Sequence, residues 1–333
     1  MRRRQSKARF LPAFLTALPW RGAVSLGLLL SLAALIVRGC CYSKTPPPSP
    51  PQSEARVSVY DHRAEETVSM ALEEYLVGVV AAEMPASFET EALKAQAVAA
   101  RTYTLRRTED ACGRGGAQIC TDSACCQAYR SLSALRENWG GAYEENLGKV
   151  QRAVWETAGQ AAFYEGELIE ALYHSSAGGQ TEDAAHVFAN DVPYLVSVDS
   201  PGEEVSAAFH DTVRVSRKRF AKAVNQAWSG AGLKASSLHK QVKVRSRFAS
   251  GRVDKVKLGK AEATGRELRK LFELNSANFT LEITADEVVF RTTGYGHGVG
   301  MSQYGANAMA KEGADYKEIL AHYYAGITID TAY

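Results

Sequence analysis

The chain has 333 residues, 46% apolar and 23% charged, a composition that lets a globular body of one large or two small domains bury a core. Residues 1–55 hold eight Lys or Arg and one acid, whereas the remainder holds 31 basic and 36 acidic residues, a net of −5. That balance excludes a nucleic-acid partner from the expected functions.

In chain order, residues 1–21 are basic, with Arg2, Arg3, Arg4, Lys7, Arg9 and Arg21 and no acid. An uncharged apolar run follows and Arg38 closes it, so 22–38 is expected to be a transmembrane anchor with the basic residues 1–21 on the cytoplasmic side. A cleaved signal peptide and a lipoprotein box at Cys40 are the rival readings, and all three export the rest. The expected location is therefore the cell membrane, single-pass, with the folded part extracytoplasmic. Residues 39–55 include KTPPPSPP, a stiff Pro-rich linker.

Residues 56–333 read as a folded α+β body. Residues 56–60 alternate like a strand, and 68–83 have apolar residues at helical spacing, stopped by Pro85. A second, alanine-rich helix is predicted over 89–107, and strand-like residues over 160–173. The stretch 212–290 holds 17 basic and 7 acidic residues and is expected to be an inserted, smaller α+β lobe. Within it, 241–248 and 252–258 predict a hairpin, and Thr264 with Glu267 a capping box. Most of its lysines are read as a solvated face. A helix over 302–311 and a last one capped by Asp315 and Glu318 complete the chain.

Glu83 is the catalytic candidate. It shares a helical stripe with Leu72, Leu76 and Val79. Burial and the helix C-terminus should both raise its pKa, which suits a general acid. The competing reading is a helix-end glutamate paired with Arg101. Glu73 and Glu74 read as polar-face residues, and no second carboxylate stands out. A single acid fits a transglycosylase, in which a substrate hydroxyl replaces the water that two-carboxylate glycosidases activate.

Residues 173–182, YHSSAGGQTE, form a polar loop suited to sugar hydroxyls, with no nucleophile elbow around Ser175. Residues 294–305, GYGHGVGMSQYG, fail as a phosphate loop, but their alternate glycines permit close backbone approach. Arg101, Ser175, Gln180, His297 and Gln303 are expected to converge on Glu83 as substrate-binding groups. Cys112, Cys120, Cys125 and Cys126 offer one structural zinc or two disulfides, with free thiols as the third reading. Neither the zinc nor the disulfides would take part in catalysis.

Four segments together resemble the stage II sporulation protein D family: EEYLVGVVAAEMPASFETEALKAQAVAARTYTL (73–105), YHSSAGGQTED (173–183), VPYLVSVDSP (192–201) and GYGHGVGMSQYGANAMAKEGADYKEILAHYYAG (294–326). The resemblance implies a lytic transglycosylase. It would cut between N-acetylmuramic acid and N-acetylglucosamine in peptide-stripped peptidoglycan glycan strands, leaving 1,6-anhydro ends, during engulfment in sporulation. It implies a cell-wall amidase and a membrane scaffold of the engulfment complex as partners. It places the essential glutamate of an AEMP motif at Glu83, and a zinc near the cysteines, although the histidine that some members use there is missing. A related protein that enhances a wall amidase keeps a non-catalytic, peptidoglycan-binding alternative open.

Overall fold

Apolar residues on every side of two helices make them the centre of the body. The computed structural model describes residues 49, 51, 54–107, 111–188 and 191–333. Helix Leu72–Glu83 buries Leu72, Leu76 and Val79 as the stripe requires, but also Tyr75, Val77, Gly78 and Val80 on its other sides. Helix Thr90–Arg106 is alanine-rich, and its small residues Ala92, Ala95, Ala99 and Ala100 let four other helices approach it. These are Leu72–Glu83, Tyr143–Glu156, Gln303–Lys311 and Tyr316–Tyr323.

The first helix starts later than its periodicity suggests. Residues Glu66–Ala71 instead form a strand, paired antiparallel with Arg56–Asp61 from Arg56↔Ala71 to Asp61↔Glu66. Ladder hydrogen bonds and the β-branched Thr67 and Val68 outweigh the helical spacing there. Ile119–Cys120 adds in parallel to the other edge of Arg56–Asp61. Gln160–Tyr164 lies between Thr328–Thr331 and Glu167–Leu168 in a second small sheet. The architecture is thus mixed α+β with several small sheets.

A second hydrophobic cluster forms between Val215 and Phe290. Here His210–Ser216, Glu287–Thr293 and Phe279–Ile283 make one antiparallel sheet. The hairpin Val242–Arg247 and Val253–Leu258, extended by Ala261–Thr264, makes another. Phe220 stacks on Phe272 at 5.1 Å, and Phe279 meets Phe290 edge-on at 5.4 Å. Thr264 and Glu267 close the capping box of helix Gly265–Leu271, and Asp315 and Glu318 that of Tyr316–Tyr323.

The single-pass membrane location is corrected. Among the described residues no helix is long and apolar enough to cross a membrane. The apolar run 22–38 on which that location rested lies outside the described residues, as do 1–21 and most of the linker 39–55.

Candidate active site

Glu83 ends its helix, with Met84 already in extended conformation. The carboxylate is engaged from two sides. Ala128 donates its backbone N–H to Oε1 at 2.7 Å, and the Gln303 amide donates to Oε2 at 3.1 Å. Burial raises the Glu83 pKa, while these two donors favour the anion and moderate the rise. No second carboxylate is among the groups acting on it. The residue as a whole is half-buried, and the two donors hold its carboxyl in one orientation.

Each donor is fixed by its own element. Gln303 opens helix Gln303–Lys311, which Ser302 caps by accepting from the Gly305 N–H at 3.2 Å. The two residues before that helix, Met301 and Ser302, pair in parallel with Tyr173 and His174, and Tyr304 N donates to Ser175 O at 3.0 Å. The polar loop and the glycine-rich loop therefore pack together. Gly300 shows why a glycine is needed: its φ is +71°, and a Cβ would stand 2.1 Å from the Leu172 carbonyl oxygen. Glu203, which the sequence did not single out, organises the polar loop from below. It accepts from the backbone N–H groups of Ala177, Gly178 and Gly179 and from the Ser200 hydroxyl.

Ala128 lies just past the cysteines. The segment behind it crosses the Glu83 helix at Gly78, where a Cβ would meet the Tyr129 ring at 2.3 Å. Gln127 accepts from the Tyr173 hydroxyl at 2.7 Å and donates to Thr104 at 3.0 Å. Burial, and then the Glu83 charge, raise the Tyr173 pKa. Tyr173 and Gln127 therefore belong to the site. Their sequence signals were position alone: one opens the polar loop and the other follows the cysteine pair.

The remaining expected residues divide. Ser175 adjoins Gln303 through the backbone bond to Tyr304. His297 sits behind Tyr173, accepts at Nδ1 from Val299 N at 3.1 Å, and is held neutral, with a pKa lowered to about 4 by burial and then Arg269. Gln180 is tied to the second cluster through its backbone carbonyl, which accepts from Arg252 at 2.9 Å. Arg101 is corrected outright. It is fully buried, forming a two-pronged ion pair with Glu73 (2.8 and 2.6 Å) and donating to the carbonyls of Gln160 and Val154. It has no face for substrate, and Glu73 is no polar-face residue.

The sulfurs of Cys112, Cys120, Cys125 and Cys126 all lie within 4.8 Å of one another, and none is at disulfide distance. A tetrahedron with metal–sulfur bonds of about 2.3 Å has edges of about 3.8 Å. Cys125 and Cys126 are 3.8 Å apart. The donor set fits a thiolate-held metal ion. Burial raises the thiol pKa of Cys120 and Cys126, whereas a bound cation would stabilise thiolates there.

With the geometry described, comparison with known proteins gives a consistent picture. A family model described as Stage II sporulation protein matches residues 60–164. The chain is 38% identical over 282 residues to Stage II sporulation protein D of Bacillus subtilis (strain 168), covering 84% of this chain and 80% of that protein. It is 35% identical over 287 residues to the protein of the same name from Bacillus amyloliquefaciens, covering 86% and 81%. It is also 30% identical over 301 residues to an Amidase enhancer of Bacillus subtilis (strain 168), covering 76% of this chain and 40% of that protein.

Proposed function

Because the chain belongs to the stage II sporulation protein D family, we propose that it is a lytic transglycosylase of the sporulation cell wall, acting on peptide-stripped glycan strands with Glu83 as its one acid–base group. The observation that carries this reading is the Glu83 environment: a half-buried glutamate whose carboxyl has a raised pKa, is held by two donors and has no partner carboxylate among the groups acting on it. The protonated carboxyl gives its proton to the glycosidic oxygen as the bond to muramic C1 breaks. The resulting carboxylate then takes the proton of the same sugar's C6 hydroxyl as O6 bonds to C1. The glutamate ends as it began, and the sugar ends as a 1,6-anhydro ring. Ser175 and Gln303 are the polar groups next to this step, and Tyr173 borders it through Gln127. The four cysteines would hold a zinc whose chemistry is structural, since four protein ligands leave no open position.

Digesting peptide-stripped glycan with the full chain and with Glu83→Gln tests this. The wild type should yield anhydro ends, and the variant should be slower by about 10²-fold or more while still binding glycan. Near-normal product from folded Glu83→Gln would refute the assignment. The similarity to an amidase enhancer favours a second reading, a peptidoglycan-binding protein that stimulates an amidase. It predicts no anhydro ends from either protein, and faster amide cleavage when an amidase is added.

A further inference from the structure

Beside the site, a cavity of about 80 Å3 opens between the hairpin turn of the second cluster and residues 182–187, with His297 on its wall. A wider groove of about 830 Å3 shares His186, Val187, Thr264, Arg266 and Arg269 with it. Glu83 lines neither, but the groove's far side is Ala124, on the segment that four residues later supplies Ala128 to Glu83.

The cavity is cationic, and its acids are already occupied. Glu182 accepts from Asp183 N and His186, at 3.0 and 2.9 Å, and from the Ser250 hydroxyl; Asp254 accepts from Ser246 at 2.7 Å. Arg252 is only 2% exposed and lies against the α-carbon of Gly298, where a Cβ would be 2.2 Å from its guanidinium. It spends Nη1 and Nη2 on the carbonyls of Gln180 and Ala177, but its buried Nε has no acceptor among the described residues. Arg269 donates only Nε, to Leu274 O at 3.2 Å, leaving its terminal nitrogens without an acceptor among the described residues. Arg266 is exposed at the cavity mouth, held over the Phe188 ring and donating Nη1 to the Val187 carbonyl. The Arg252 Nε is a buried guanidinium donor without an acceptor among the described residues, which is costly, and two further guanidiniums line the same cavity, so the array calls for an anion.

We infer that Arg252, Arg266 and Arg269 bind a carboxylate of the glycan, the lactyl acid that a muramic residue exposes once its stem peptide is removed. The inference rests on the transglycosylase reading for the identity of the glycan. On it, the strand lies along the outer groove, one lactyl group enters the cavity, and an intact stem peptide, joined to that carboxyl as an amide, removes the charge and blocks entry. Selection for stripped strands then resides in this cavity and not at Glu83.

The test titrates the full chain with peptide-stripped strands and with the same strands after conversion of their lactyl carboxyls to methylamides. Capping should weaken wild-type binding by about tenfold or more, the loss of a charge-assisted pair. Arg269→Gln should bind uncapped strands about as weakly as the wild type binds capped ones, and should no longer distinguish the two. Equal wild-type affinity for both strands, or binding of neither, overturns the inference. So does a capping effect that persists undiminished in both Arg269→Gln and Arg266→Gln, because another cation would then read the charge. Anhydro ends are scored in parallel. Their absence from both strands sinks the transglycosylase reading, whereas their presence with equal affinity sinks the carboxylate site alone.

Discussion

At Glu83, burial and hydrogen bonding oppose each other, and the opposition sets a pH dependence. A general acid must hold its proton, so the rate should fall as pH rises through the raised pKa. Gln303 favours the anion, so Gln303→Leu should move that falling limb to higher pH; an unmoved pH–rate profile would remove Gln303 from the acid's environment. The same shift affects stability. Folded Glu83 holds its proton more tightly than unfolded Glu83, so stability falls as pH rises from the ordinary value of 4.5 through the raised folded value, and the full cost is present above it. Glu83→Gln, which buries no charge, should melt at least as high as the wild type at neutral pH and lose that advantage in acid. Arg101 gives the contrasting case. Arg101→Met strands Glu73 in the interior and should cost about 3–5 kcal/mol by denaturant unfolding, and adding Glu73→Met should restore much of it. A double variant as unstable as the single would mean that Arg101 acts by packing alone. The position of Glu83 was legible from its spacing, but the Arg101–Glu73 pair was not. A polar face can be read only on a helix that has one, and helix Leu72–Glu83 is buried nearly all round.

Among the elements, the cysteine-bearing segment and the glycine-rich loop each hold one side of Glu83. If a metal orders the first, stripping it with a chelator should disorder the segment around Ala128 and reduce anhydro-product formation, with most helical circular dichroism retained. Hydrogen exchange read at 119–130 checks this independently of activity, and unchanged protection would argue against a metal-held segment. Gly300→Ala forces a side chain into the Leu172 carbonyl at positive φ and should destabilise the protein by at least about 2 kcal/mol, with the pairing of Met301–Ser302 against Tyr173–His174 lost first. Thermal unfolding and amide exchange at Met301 report both. Elements whose rules are local were legible: both capping boxes, the hairpin at 242–258 and the alanine-rich helix. The strand Glu66–Ala71 was not, because its helical spacing was real and only pairing with Arg56–Asp61 overrode it.

For the whole molecule, the surplus of positive charge in 212–290 was visible in composition, but its use was not. Most of those side chains are solvated, as expected. Arg252 differs only because the hairpin turn sets it against Gly298, a neighbour that no local pattern reveals. The same topology bears on how the chain folds. His210 stands opposite Thr293 in the sheet, and Gly294 N donates to Phe209 O at 2.8 Å, so the excursion through the second cluster leaves and returns at one point. Until that excursion folds, joining 209 to 294 means closing a long flexible loop, whose entropic cost grows with its length. Once it has folded, the two ends are presented side by side. The glycine-rich loop, and with it Gln303, should therefore reach Glu83 late in folding. Pulse-labelled exchange should show amides of 242–258 protected before those of 299–305, and the reverse order would mean that the rest of the body assembles without waiting for the second cluster.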